Sequence, residues 1–296
     1  MDSTWLKGRT VLVTGATSGI GRATVQALAP QLKRLLLVGR NAELVRETTD
    51  SLRAEFPQLE VHGFTADLAL QSETRQVAAW AATFPELHGL VNNVGVVMGR
   101  EELTADGIER QFAVNYVNQV LLTRLLLPLL VRNATPEIPH RVVMVSSVGH
   151  RNAKPLSTEF AGLKPYAELL VYRQSKLAQA LFTVECARRL KDWPVIINAV
   201  CPGATKTDIG CKNTRNVMVQ WVWWLASRFF HSVDTGAANV VKVLADDTLH
   251  RQSGEFFENL KPAKFSPLAL DAEAAKTLWD ETCDRLALPR EIELAQ

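Results

Sequence analysis

The 296 residues hold only four cysteines, three tyrosines and four methionines. Cys186, Cys201, Cys211 and Cys283 include no C-x-x-C pair and are too sparse for a disulfide framework, so they read as reduced thiols of a cytoplasmic protein. The six histidines are scattered without an H-x-x-x-H pair, and no metal is expected. An excess of charge is also missing. Lys and Arg number 33 against 31 Asp and Glu, a net +2, without the basic surplus of a nucleic-acid binder. Residues 1–9 lack the apolar core of a signal peptide, and no run approaches the ~18 apolar residues of a membrane span. The sequon Asn133-Ala134-Thr135 therefore reads as accidental. Repeats of about 20–50 residues and low-complexity linkers are absent. What remains is an ordinary globular composition, 47% apolar and 22% charged, sufficient for one large α/β domain.

Short apolar runs alternate with helical stretches. Strands are expected at Thr10–Val13, Leu35–Val38, Val61–Phe64, Leu87–Val91, Val142–Val145 and Val195–Val200. Helices are expected at Ile20–Ala29, Asn41–Glu55, Ser72–Thr83, Asp106–Leu130 and Tyr166–Leu190. Strands that are apolar throughout are buried on both faces, and strand-helix alternation implies a parallel, doubly wound sheet flanked by helices. Ligands of such sheets bind at the carboxyl ends of the strands.

At the first of those ends, Val11-Leu12-Val13 runs into Thr14-Gly15-Ala16-Thr17-Ser18-Gly19-Ile20-Gly21. Glycines there permit a tight turn and close approach of a pyrophosphate, which the free N–H groups of a helix N-terminus favour. The second strand ends at Gly39-Arg40-Asn41, where NAD-specific sites usually carry an acidic residue. A guanidinium in its place suits a 2′-phosphate, so the expected cofactor is NADP(H). Tyr172 and Lys176 stand four apart in a helical stretch and share a face. An ammonium beside the phenol and a positive nicotinamide ring are expected to lower its pKa from about 10, fitting it for proton transfer to a carbonyl oxygen or from an alcohol. Tyr166 has Leu170 where that lysine would stand.

With these residues in order, the chain resembles the short-chain dehydrogenase/reductase family over about residues 8 to 285. The motifs are TGATSGIG from Thr14, Asp67-Leu68 after the third strand, Asn92-Asn93-Val94-Gly95 after the fourth, Asn115 in a long helix, Ser146-Ser147 after the fifth, Tyr172-x-x-x-Lys176, and Pro202-Gly203 after the sixth, followed by Thr205 and Thr207. The resemblance implies a single Rossmann-type domain over 1–296. It assigns catalysis to Asn115, Ser147, Tyr172 and Lys176. It assigns cofactor binding to Gly15, Thr17, Ser18, Gly19, Ile20, Gly21, Arg40, Asn41, Asp67, Leu68, Asn93, Val94, Gly95, Tyr172, Lys176, Pro202, Gly203, Thr205 and Thr207. In that scheme Asp67 contacts adenine, Ser147 polarises the substrate oxygen, Lys176 also holds the nicotinamide ribose, and Asn115 positions a water that links Lys176 to solvent.

The serine-to-tyrosine spacing is longer than in most of the family, 147 to 172, as in its retinol-dehydrogenase-like branch. That implies a small apolar substrate, a retinoid-, steroid- or polycyclic-ketone-like carbonyl or its alcohol. The Trp-rich stretch VMVQWVWWLASRFF, from Val217, lies in a segment expected to form a substrate lid at 205–232, and residues 258–296 are expected to extend the substrate side. The chain reaches its first strand almost at once and is expected to be soluble, as a monomer or homodimer. Two other readings stay open: an NADP(H)-sensing binding protein without turnover, and a peripheral membrane protein attached through the tryptophans.

Overall fold

The structure, a computed structural model, describes residues 3–156, 166–203 and 232–294. Strands β1 (Thr10–Thr14), β2 (Arg34–Gly39), β3 (Glu60–Thr65), β4 (Gly89–Asn92), β5 (His140–Val145), β6 (Val195–Cys201), β7 (Phe256–Glu258) and β8 (Lys261–Ala263) form one sheet in the order 3-2-1-4-5-6-7-8. The pairs from β3 to β7 are parallel, and β7 with β8 is antiparallel. The edge hairpin is thus an antiparallel addition to the parallel sheet expected from sequence. Its strands have three residues each, too short for a visible period.

Helices α1 (Gly19–Leu28), α2 (Ala42–Glu55), α3 (Gln71–Ala81), α4 (Arg110–Phe112), α5 (Asn118–Val131), α6 (Glu168–Arg189), α7 (Val233–Ala245) and α8 (Ala272–Leu286) cover the two faces. One core joins Val25 and Leu28 of α1 to Val240 and Leu244 of α7 over Val11, Val13 and Val91. The other joins Val77 of α3, Leu121 and Leu126 of α5 and Leu181 of α6 over Leu12, Leu90 and Val142. Every residue of β1, β2, β4, β5 and β6 is buried, which is why these strands read as continuous apolar runs. β5 starts two residues before its apolar run because His140 and Arg141 are buried too. Arg141 donates to the carbonyls of Leu244 and Asp246 at the end of α7 and lies 4.6 Å from the Trp5 ring. A guanidinium there satisfies carbonyls that a helix C-terminus leaves free.

Among the described residues one helical run, Arg110–Val131 of 22 residues, is long and apolar enough by length and composition to cross a membrane, with a mean hydropathy of 1.4 over an 18-residue window, where no such run is expected from sequence. Its apolar window is 78% buried inside the fold, as in a core helix of a sheet covered on both faces. The run is not one regular helix. Ala113–Val117 forms a π turn between α4 and α5, with the Asn118 N–H bonded to the Ala113 carbonyl.

Candidate active site

Strand order reverses between β2-β1 and β4-β5, and the crevice this opens lies beyond the carboxyl ends of β1 and β4. Thr14 joins the two ends: its hydroxyl accepts from the N–H groups of Asn93 (2.9 Å) and Val94 (3.1 Å). Asn93 returns two bonds, from Nδ2 to the carbonyls of Thr14 and Gly15. Gly15 has φ +64°, and a Cβ on Gly21 would stand 2.0 Å from the Gly15 carbonyl oxygen. Helix α1 therefore packs on the turn as closely as only glycine allows. Ser18 at its N-cap makes no side-chain capping bond, so the first N–H groups of α1 stay free to hold a phosphate. Thr17 and Ile20 are buried beside them. This cradle fits a dinucleotide.

Gly39 lies against Thr17: a Cβ there would meet Thr17 Cγ2 at 2.6 Å and Val45 Cγ2 at 2.9 Å, so a carboxylate side chain at this strand end would have to displace them. Arg40 is exposed and makes no ion pair or hydrogen bond with any described residue. Asn41 caps α2, its Oδ1 accepting from the N–H groups of Glu43 and Leu44. Asp67 is engaged as well. Its Oδ1 accepts from Ala69 N, and Arg110 donates to its Oδ2 at 2.6 Å. Leu68 is buried, and its carbonyl accepts from Asn118. Both polar side chains thus do structural work that their motif did not announce.

Ser147 lies two residues beyond β5 and caps a single 3-10 turn, Val148–Asn152, with its hydroxyl accepting from Gly149 N at 3.0 Å. The same hydroxyl and the Tyr172 ring flank Gly149, where a Cβ would stand 3.3 Å from Ser147 Oγ and 3.5 Å from Tyr172 Cε1. Ser146, its neighbour, is buried with a hydroxyl that has no partner among the described residues. Tyr172 and Lys176 lie in α6, one turn apart, with the ammonium 5.7 Å from the phenol ring centre. Burial of the phenol raises the Tyr172 pKa, and the neighbouring Ser147 hydroxyl only partly offsets it. The protein's own groups therefore do not lower this tyrosine as expected from sequence, because desolvation outweighs them. Burial pushes Lys176 down to about 8.

Asn115 sits in the π turn, where the widened helix turns its side chain toward the β4 loop. It accepts from Val96 N at 2.8 Å and donates to the Val96 carbonyl and to Ser175 Oγ. A Cβ on Gly95 would stand 3.6 Å from Asn115 Oδ1 and 3.9 Å from Lys176 Nζ, so Gly95, Asn115 and Lys176 meet at one point. Pro202 and Gly203 follow β6 at the same edge. Thr205, Thr207, Trp221, Trp223, Trp224 and nearly all of the expected lid lie outside the described residues.

Three groups here carry no motif signal. His150 donates from Nδ1 to the Ser147 carbonyl (2.6 Å) and accepts at Nε2 from Ser266 N (3.2 Å). The Tyr166 hydroxyl donates to Glu109 (3.0 Å) and accepts from Gln111 (2.6 Å), so it is committed to a buried carboxylate. Gln179 and Gln119 lie behind Lys176. Of the C-terminal part, Glu258 pairs with Arg151 beside the serine turn, whereas α8 stacks Trp279 on Phe182 along α6.

The family model for short chain dehydrogenases matches residues 9–217. Retinol dehydrogenase 11 of Homo sapiens is 35% identical over 288 residues, covering 96% of this chain and 87% of that protein. Retinol dehydrogenase 12 of Mus musculus is 34% identical, covering 96% and 88%. Among solved structures, an uncharacterised protein from Mycobacterium paratuberculosis superposes with a TM-score of 0.75 at 27% identity, over 99% of this chain and 98% of the other. The chain belongs to the short-chain dehydrogenase/reductase family of oxidoreductases, on its retinol-dehydrogenase-like branch.

Proposed function

We propose that the protein is an NADP(H)-dependent oxidoreductase that interconverts a bulky apolar carbonyl, of retinoid, steroid or polycyclic-ketone type, and its alcohol. The observation that carries this reading is the convergence of Ser147, Tyr172 and Lys176 at the strand ends beside the glycine turn. The turn and the free N-terminus of α1 would hold the pyrophosphate, Arg40 the 2′-phosphate, and Lys176 the nicotinamide ribose. A bound nicotinamide supplies hydride chemistry. Tyr172 gives a proton to the substrate oxygen in reduction and takes one in oxidation. The Ser147 hydroxyl donates to the same oxygen as its charge develops, and its place beside the Tyr172 ring lets the two groups act at one point. Lys176 favours the phenolate through its charge. Asn115 shapes the route by which a proton reaches solvent. The apolar substrate class is supported by the family branch, whose matched relatives are named retinol dehydrogenases.

A screen of NADPH and NADH oxidation over all-trans-retinal, steroid ketones, quinones and short aliphatic carbonyls tests this. The expected result is NADPH-dependent turnover of the bulky apolar members. NADH preference, or turnover confined to short aliphatic carbonyls, would overturn the corresponding part of the reading.

A further inference from the structure

Behind the catalytic lysine runs an unbroken chain of buried amides. Lys176 Nζ donates to the Val145 carbonyl (3.0 Å) and to Gln179 Oε1 (2.9 Å). Gln179 Nε2 donates to Gln119 Oε1 (2.6 Å), and Gln119 Nε2 donates to the carbonyls of Val94 (2.6 Å) and Val114 (3.2 Å). Lys176, Gln179 and Gln119 are all at least 96% buried. The polarity of the chain is fixed at both ends. An ammonium can only donate, so it requires the oxygen of Gln179, and the carbonyls of Val94 and Val114 can only accept, so they require the nitrogen of Gln119. The two amide dipoles therefore both point their negative ends toward Lys176. Val145 precedes the Ser146-Ser147 pair, and Val94 belongs to the loop that closes on the glycine turn, so the chain links the lysine to both walls of the crevice.

We propose that Gln179, backed by Gln119, is a positioning residue for Lys176, holding its ammonium charged and aimed across the crevice and tying it to the Val94 loop. This rests on the catalytic reading of Lys176. A buried ammonium needs such partners. Among the described residues no carboxylate faces it; the groups that do are Tyr172 on its own helix, the Cys201 thiol at the end of β6, Asn115 of the π turn and the backbone at Gly95. Without a counter-charge, oriented amides are what offsets the desolvation of the cation. Amides do not relay protons at these pH values, so the chain stabilises the charge, and the proton route to solvent lies on the Asn115 side.

The test is the Lys176 Nζ resonance of the full-length protein labelled with nitrogen at lysine, titrated with pH and identified by its loss in Lys176→Met. Gln179→Leu should lower the midpoint by about one pH unit, the scale of one lost hydrogen bond to a charged group. Gln119→Leu should lower it less, and Gln179→Glu, which adds a counter-charge, should raise it. The alkaline limb of kcat/KM for all-trans-retinal reduction by NADPH should move in the same directions. Opposite shifts from Leu and Glu at one position are not produced by a general loss of packing. If Gln179→Leu does not fold, Gln179→Glu alone decides. A midpoint unmoved in Gln179→Glu, or one lowered by it, overturns the proposal. Failure of the underlying reading shows separately, as wild-type turnover in Lys176→Met.

Discussion

His150 Nδ1 donates to the Ser147 carbonyl oxygen at 2.6 Å, so a fully buried imidazole holds the backbone of the serine whose hydroxyl lies beside the Tyr172 ring across Gly149. Its other nitrogen accepts from Ser266, which fixes one neutral tautomer, and burial keeps His150 below its ordinary pKa. The ring packs on Phe256 and Phe265, so the serine turn is braced from the edge hairpin.

His150→Ala should therefore cost roughly 1–3 kcal/mol of stability through the two orphaned backbone groups. Because Ser147 would lose its brace, kcat should also fall by about tenfold, with the Kd for NADPH unchanged. Urea melts and steady-state kinetics check this. Unaltered kcat in a destabilised variant would show that the brace serves the fold alone.

At the amino ends of the central strands β4 and β5 His88 and His140 face each other, ring centres 4.7 Å apart, and burial lowers both to about 4 from an ordinary 6.5. Both are neutral in the folded protein: Thr10 N donates to His88 Nδ1, and His140 Nδ1 donates to the Leu130 carbonyl. A depressed folded pKa means that the unfolded chain takes up protons first. Stability from these groups is full above pH 6.5 and is lost as pH falls toward about 4. The urea midpoint should fall across that window, and the His140→Leu variant should show a shallower slope. Equal slopes would remove His140 from the acid response.

Arg40 is exposed at the end of β2 with no partner among the described residues, and a carboxylate side chain at Gly39 beside it would have to displace Thr17 and Val45. Arg40→Ala should weaken NADPH by roughly 10- to 100-fold, the value of a lost charge-assisted phosphate contact of about 1.5–3 kcal/mol, and hardly touch NADH. Isothermal titration with each cofactor reads it. Equal losses for both would show that Arg40 supports the fold instead of the phosphate.

Much of this molecule is legible in its sequence because a sheet covered on both faces must be apolar along whole strands. Leu35–Val38 and Val142–Val145 announce themselves, and the glycine turn, Ser147, Tyr172 and Lys176 follow in register. What escapes reading has physical reasons. His140 and Arg141 look like loop residues until Leu130, Leu244 and Asp246 supply the acceptors that let them be buried. The π turn at Ala113–Val117 is a shift of hydrogen-bond register, which leaves no trace in an apolar pattern. Gln119 and Gln179 are 60 residues apart and match no motif, and only the packing of α5 on α6 joins them. The raised Tyr172 is likewise a property of its surroundings, since spacing to Lys176 shows the charge but not the desolvation.

The central claim is that the Tyr172 hydroxyl moves the proton. Tyr172→Phe removes that oxygen and keeps the ring, so the turn around Gly149 and the contact with Lys176 keep their packing. Single-turnover reduction of all-trans-retinal with saturating NADPH is the measurement. A fall in rate of at least about 10², with NADPH affinity nearly unchanged, is the predicted result. A variant that reduces retinal at the wild-type rate would contradict the account.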